Sequence, residues 1–81
     1  MSSYVYILQS LKDKKLYIGI TNNLLKRLNQ HNRGENPSTK YRIPFKLIYS
    51  EKYVNYKKAR IRESFLKSGQ GRKWVKNNIL S

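Results

Sequence analysis

The sequence contains no cysteine, one histidine, one tryptophan and only four acidic side chains among 81 residues. Without cysteine the chain has no disulfide framework and no thiolate metal site, which fits a cytoplasmic protein. A single histidine excludes a classical zinc cluster. Four carboxylates are too few for a two-metal site built on many carboxylates, whereas one ion held by one carboxylate, water and a substrate phosphate is feasible.

Long apolar runs are also missing. No stretch approaches the roughly 18 residues needed to span a bilayer, and the N-terminus lacks the charged-then-apolar pattern of a signal peptide. What the chain does have is charge: 18 Lys and Arg residues against 4 Asp and Glu residues, a formal net charge of +14. Because self-repulsion at this density costs stability, we expect a polyanionic partner. Nucleic acid is the first candidate, and an anionic membrane surface is the second.

Two strands are predicted near the N-terminus, at residues 4–8 and 16–20, because both are β-branched and aromatic. In the second strand Tyr17 and Gly19 point to one face. If the hairpin loop has an even number of residues, this face is also the one that carries Tyr6. All 81 residues are expected to form a single domain.

A helix is predicted to follow at once, because residues 21–23 are good N-cap residues. It runs to about residue 32 with Leu24 and Leu28 as its buried stripe. Arg27 and His31 are four residues apart and so share one face at the edge of this stripe. Taken singly, most arginines of a basic protein lie on a solvated face, as Arg27 could, and His31 could equally be a half-buried imidazole.

The second half of the chain is predicted to contain an exposed loop at 33–40, a strand at 45–51, a helix at 56–67 ended by Gly69, and a short helix at 71–80. In the strand, Phe45, Leu47 and Tyr49 are expected to share a face. The predicted element order is therefore ββαβαα, in the α+β class.

Glu63 is the most informative residue of the 56–67 helix. On a helical wheel it falls in an apolar stripe with Tyr56, Ala59 and Leu66. An ionised carboxylate buried without a partner is very costly. The stripe therefore predicts either a buried pair with an arginine, a snorkelling side chain, or a ligand for a hard cation.

Tyr17-Ile18-Gly19, with Arg27, His31 and Glu63 following in order, resembles the GIY-YIG endonuclease superfamily. Tyr4-Val5-Tyr6 looks like the first half of the motif. The resemblance covers most of the chain. It is closest to small stand-alone bacterial proteins that are similar to the nuclease domain of the excision-repair incision subunit.

The resemblance implies a three-stranded antiparallel sheet flanked by helices and a metal-dependent cut in DNA, or alternatively RNA, with low sequence specificity. By carry-over, Tyr6, Tyr17 or His31 orients or deprotonates the attacking water, Arg27 stabilises the developing charge, and Glu63 holds one Mg²⁺ or Mn²⁺. The residues predicted to contact the nucleic acid are Arg27, Lys40, Arg42, Lys67 and Arg72.

Two departures from the family pattern keep other functions open. Tyr4 stands where the family name has glycine, and Ile20 stands where many relatives carry lysine. A catalytically weak or inactive nucleic-acid binder on the same scaffold is therefore the second hypothesis. A third is an interaction subunit in which Tyr6 and Tyr17 are ordinary strand aromatics.

Overall fold

The structure is a computed structural model, and it describes residues 2–80. The elements in chain order are β1 (Ser3–Ser10), β2 (Leu16–Thr21), α1 (Leu24–Asn32), a 3₁₀ turn (Lys40–Arg42), β3 (Phe45–Tyr53), α2 (Tyr56–Lys67) and α3 (Gly69–Asn78). The strands form one antiparallel sheet in the order β2-β1-β3. This confirms the α+β class and the ββαβαα order. None of the helices within residues 2–80 combines the length and the apolarity that crossing a bilayer requires.

The β1–β2 register confirms the predicted face. Tyr6 pairs with Gly19, and Leu8 pairs with Tyr17. Since directly paired residues point to the same side of an antiparallel sheet, Tyr6, Tyr17 and Gly19 share one face. Tyr6 packs on this face with Leu8 and Phe45, against the apolar stripe of α1.

The opposite face of the sheet is covered by α2 and α3. Val5 and Ile7 from β1 pack there against Ala59 and Leu66 of α2 and Val75 of α3. Every residue of this set is at most 2% exposed. The two faces of β1 therefore belong to two separate clusters, as the alternation of its side chains predicts.

Strand β3 does not keep the predicted alternation. Tyr49 pairs with Ile7 and Leu47 pairs with Leu8, so Ile48 is an extra residue at a bulge. A bulge moves the residues on its two sides to opposite faces of the sheet. Phe45 therefore lies in the Tyr6 cluster, whereas Tyr49 lies in the cluster under α2 and α3. The prediction that Phe45 and Tyr49 share a face was wrong.

The carboxylate of Glu51 on β3, whose two oxygens each accept two hydrogen bonds, helps to fix α2 and α3 to the sheet. Glu51 accepts hydrogen bonds from the hydroxyls of Tyr49 and Tyr53 at 2.5 and 2.6 Å, and two more from Arg62 at 2.9 and 3.1 Å. The Arg62 guanidinium also lies 4.5 Å from the centre of the Trp74 ring in α3. Burial opposes ionisation of Glu51, but these hydrogen bonds outweigh it and hold its pKa below the usual value.

Helix caps agree closely with the sequence. Asn23 and Asn55 accept hydrogen bonds from the third residue beyond them and begin α1 and α2. Ser68, rather than Gly69, ends α2, and the same residue caps α3. A Cβ atom at Gly71 would overlap the backbone of Phe65, so glycine is required where α3 turns back against α2.

Candidate active site

The sheet face that carries Tyr6 forms the floor of the candidate site. A Cβ atom at Gly19 would lie 2.5 Å from the Tyr6 hydroxyl oxygen. The missing side chain at Gly19 therefore leaves the space in which the Tyr6 ring lies. Tyr17, two residues before Gly19, is half-buried, and the centre of its ring lies 6.2 Å from that of Tyr6.

His31 of α1 packs against this face of the sheet and takes part in a chain of hydrogen bonds. Its Nε2 is 3.2 Å from the Tyr6 hydroxyl, and its Nδ1 is 2.9 Å from the Thr39 hydroxyl. Tyr6, His31 and Thr39 are each at most 2% exposed. The rings of Tyr17 and Phe45 contact the imidazole edge to face, with centres 4.8 and 5.8 Å away. The imidazole is thus fixed by four neighbours: Tyr6, Tyr17, Thr39 and Phe45.

Burial keeps both partners of the Tyr6–His31 hydrogen bond neutral near pH 7. Burial raises the pKa of Tyr6. The Tyr17 phenol raises it further, and the Arg27 cation opposes this rise. Burial lowers the pKa of His31, and the Arg27 cation lowers it further. Desolvation outweighs the Arg27 cation, so this arginine by itself does not ease loss of the Tyr6 proton.

Arg27 is the half-buried cation of the site. It lines an open cavity of about 410 Å³ together with His31, Gln30, Glu35 and Asn36. Among residues 2–80 no carboxylate lies within ion-pair distance of its guanidinium. Glu35, which lines the same cavity, is paired with Arg33 at 2.6 Å instead. Arg27 and His31 share one face of α1, as the spacing predicts. Its charge opposes the rise in the pKa of Tyr6 and lowers the pKa of His31, which lines the same cavity.

Glu63 lies in the buried stripe of α2 as predicted, with 7% exposure, beside Ala59 and Leu66. Tyr56, by contrast, is 62% exposed and does not belong to the stripe. The carboxylate is paired with two cations of its own helix, Arg60 at 2.8 Å and Lys67 at 3.2 Å. Its neighbours Ala59 and Leu66 pack on the sheet face opposite to Tyr6, and its charge makes a minor contribution to the raised pKa of Tyr6.

The five residues predicted to contact nucleic acid fall in four places. Lys67 and Arg72 lie together at the rim of a second, larger cleft of about 860 Å³, to which Tyr17 also contributes. Arg42 is paired with Asp13 at 3.2 Å and donates to the Leu16 carbonyl at 3.3 Å, so it holds the β1–β2 turn. Lys40 is exposed, with its amine over the Tyr41 ring. Arg27, described above, lines the smaller cavity.

Thr39 is the residue of the site that sequence reasoning missed. It lies in the segment predicted as an exposed loop, yet it is 1% exposed. The surrounding polar residues, Asn36 and Ser38, are typical of a loop and gave no sign of one buried hydroxyl among them. The Asn32 side chain helps to bring this segment in, because its amide exchanges two hydrogen bonds with the backbone of Phe45.

The match of nearly the whole chain to a known domain family defines the class of protein. The chain belongs to the GIY-YIG catalytic domain family, which matches residues 2–77. Membership in this nuclease domain family indicates phosphodiester chemistry on a nucleic acid.

Particular relatives are small bacterial proteins. The chain is 47% identical over 66 residues to a UPF0213 protein of Clostridium perfringens, covering 80% of this chain and 70% of that protein. It is 38% identical over 71 residues to a UPF0213 protein of Streptococcus pyogenes serotype M3, covering 86% and 76%. The solution NMR structure of a UPF0213 protein from Bacillus halodurans is similar to this structure, with a TM-score of 0.57 and 29% identity over 95% of this chain and 84% of that chain.

Proposed function

We propose that this chain is a divalent-metal-dependent endonuclease that cuts a phosphodiester bond of DNA in the cytoplasm. The observation that carries the proposal is the state of Arg27: a half-buried residue at the edge of an open cavity, whose guanidinium has no carboxylate partner in residues 2–80. A partly desolvated cation is stabilised by an anion, and the guanidinium fork matches a phosphate with two hydrogen bonds.

The residues divide by exposure into those that reach the substrate and those that support them. Arg27 and Tyr17 are half-buried and open to the two cavities. Arg27 would stabilise the charge that develops on the phosphate, and the Tyr17 hydroxyl would orient the attacking water. Tyr6 and His31 are buried. They would act as positioning residues that hold Tyr17 and Arg27 in place.

Glu63 would hold the metal. Residues 2–80 contain no group of three or more His, Cys, Asp or Glu side chains that could bind an ion, so the protein would offer a single carboxylate. That donor fits Mg²⁺ or Mn²⁺, which accept water and phosphate oxygens as their other ligands. Each Glu63 oxygen has one cationic partner and keeps a further lone pair. A bound ion would polarise the phosphate and stabilise the leaving oxygen.

The larger cleft favours a substrate with an unpaired strand. Its rim carries Lys67 and Arg72 from one side and Lys14 and Lys15 from the other, and its floor is mainly apolar. Cations that flank an apolar floor suit a strand whose phosphates lie on the rim and whose base lies in the cleft. Bases that are stacked in a duplex cannot enter such a cleft. Because the rim would contact phosphates, sequence specificity should be low.

A nucleic-acid binder without catalysis is the second candidate. It is favoured by the pairing of Glu63 with Arg60 and Lys67, which neutralises the carboxylate that a metal requires. Such a protein would bind nucleic acid in a salt-sensitive way and would cut none.

The two functions are separated by a cleavage assay on single-stranded, duplex, nicked and branched DNA and on RNA, each with Mg²⁺ or Mn²⁺. The wild type is compared with Arg27→Ala and Glu63→Ala. We expect cleavage by the wild type, greatest on substrates with unpaired nucleotides, and loss of cleavage in both variants. Cleavage that survives both substitutions would reject this site. Tight binding without cleavage of any substrate would support the second candidate.

A further inference from the structure

Thr39 contacts the one histidine of the chain at the ring nitrogen that Tyr6 does not use. Its hydroxyl is 2.9 Å from His31 Nδ1, while the Tyr6 hydroxyl is 3.2 Å from Nε2. A neutral imidazole has one donor nitrogen and one acceptor nitrogen. Thr39 and Tyr6 must therefore take opposite roles toward the ring, and only two arrangements of the protons are available.

The first arrangement gives every proton an acceptor. His31 Nδ1–H donates to Thr39, the Tyr6 hydroxyl donates to Nε2, and the Thr39 hydroxyl donates to the Asn36 carbonyl at 3.5 Å. In the second arrangement Thr39 donates to Nδ1 and Nε2–H donates to the Tyr6 oxygen. Within the described residues, the acceptor of the Tyr6 hydroxyl is His31 Nε2. In the second arrangement Nε2 carries a proton, so the buried proton of the Tyr6 hydroxyl loses this acceptor. A buried donor without an acceptor costs about 1–3 kcal/mol.

We propose that Thr39 is a positioning residue of the site: its buried hydroxyl accepts from Nδ1–H, and together with the Tyr6 hydroxyl it selects the tautomer of His31 whose Nε2 accepts from Tyr6, which fixes the Tyr6 ring. The effect on catalysis rests on the proposed nuclease function, whereas the selection of the tautomer does not.

The consequence for the site follows from packing. Tyr6 fills the space over Gly19, and Tyr17 contacts both the Tyr6 and the His31 rings. If the tautomer changes, the hydrogen bond between Tyr6 and His31 reverses and the Tyr6 proton must turn elsewhere. Tyr17, which would face the water, then loses the fixed surface on which its ring lies. Thr39 thus acts on Tyr17 through His31 and Tyr6, without reaching the substrate itself.

The test compares wild type with Thr39→Val, which keeps the shape and removes the hydroxyl, and Thr39→Ser, which restores it. Long-range ¹H–¹⁵N NMR reads the tautomer directly, and the spectrum contains the signals of one histidine side chain. In wild type near pH 7 we expect a protonated Nδ1 and an unprotonated Nε2. Thr39→Val should shift the ring toward the Nε2–H tautomer, and Thr39→Ser should return it to the wild-type form.

The same variants are then assayed for cleavage. We expect the kcat of Thr39→Val to fall about tenfold, with KM within about twofold, and Thr39→Ser to recover most of the rate. An Nε2–H tautomer in wild type overturns the proposal, and this measurement decides even if Thr39→Val does not fold. An unchanged tautomer in folded Thr39→Val also overturns it. If the tautomers behave as expected but wild type cuts no substrate, the tautomer selection stands and the nuclease function fails.

Discussion

Adding one methyl group at Gly19 tests whether the Tyr6 ring must lie directly over β2. The new Cβ would be 2.5 Å from Tyr6 Oη and 2.7 Å from its Cζ. Both distances are far below ordinary contact. The ring cannot swing into solvent easily, because it is 2% exposed and is bounded by Tyr17 and His31. Either the ring or the strand has to move, and the hydrogen bond to His31 is lost.

The expected magnitude follows from overpacking. Extra methylene groups in a packed interior cost about 1–3 kcal/mol. Alanine alone would gain about 0.5–1 kcal/mol in a strand, because glycine loses more backbone entropy on folding. A net loss of stability therefore isolates the contact with Tyr6. In a domain of this size each kcal/mol lowers Tm by roughly 4–8 °C. Displacing the ring by about 1 Å should reduce cleavage by about 10- to 100-fold.

The assay is thermal unfolding followed by circular dichroism, together with single-turnover cleavage. Gly69→Ala is the matched control, since no atom lies within 4 Å of the Cβ it would add. We expect this control to stay within about 0.5 kcal/mol of wild type. If Gly19→Ala unfolds and cuts like Gly69→Ala, the arrangement of Tyr6 over Gly19 is wrong.

Three further predictions concern charge. Because burial and Arg27 lower the pKa of His31, the unfolded chain binds more protons below about pH 6.5. The contribution of His31 to the free energy of unfolding is fully present above about pH 6.5 and is lost as the pH falls through the pKa that His31 has in the folded protein. The free energy of unfolding in urea should fall less between pH 7.5 and pH 5.5 in His31→Gln than in wild type. An equal fall in the two proteins would contradict this prediction. Glu51→Gln removes the charge that Arg62 binds and should cost about 2–4 kcal/mol in urea unfolding, and an unchanged midpoint would argue against this network. The double variant Lys67→Ala, Arg72→Ala should weaken binding of single-stranded DNA and flatten its salt dependence by about 1–2 in log–log slope, whereas the doubly substituted Lys57→Ala, Lys58→Ala should not.

The parts of the fold that the sequence predicts are those set by local periodicity. Alternation in β1 and β2, with a pairing across an even loop, is enough to bring Tyr6, Tyr17 and Gly19 to one face. Helical spacing is enough to put Arg27 and His31 together and to bury Glu63. These features depend on neighbours within a few positions along the chain, so a single sequence contains them.

The parts of the fold that the sequence does not predict depend on one added residue or on contacts between distant segments. The bulge at Ile48 reverses the faces of β3 and brings Phe45 to His31, yet nothing in the alternation of 45–51 signals it. The burial of Thr39 results from a loop that folds over α1. The cation that pairs with Glu51, Arg62, comes from α2, and an acid at the end of a strand is interpreted as a solvated residue until that helix is placed.

The most direct test of the nuclease site is the single-turnover rate of cleavage of a single-stranded oligonucleotide in Mg²⁺ by wild type, Glu63→Gln and Glu35→Gln. The two variants make the same change of charge and shape, one at a buried carboxylate and the other at an exposed one paired with Arg33. We predict that Glu63→Gln loses about 100-fold or more of the rate and that Glu35→Gln stays within about threefold of wild type. Equal rates in the two variants would contradict the assignment of Glu63 to the reaction.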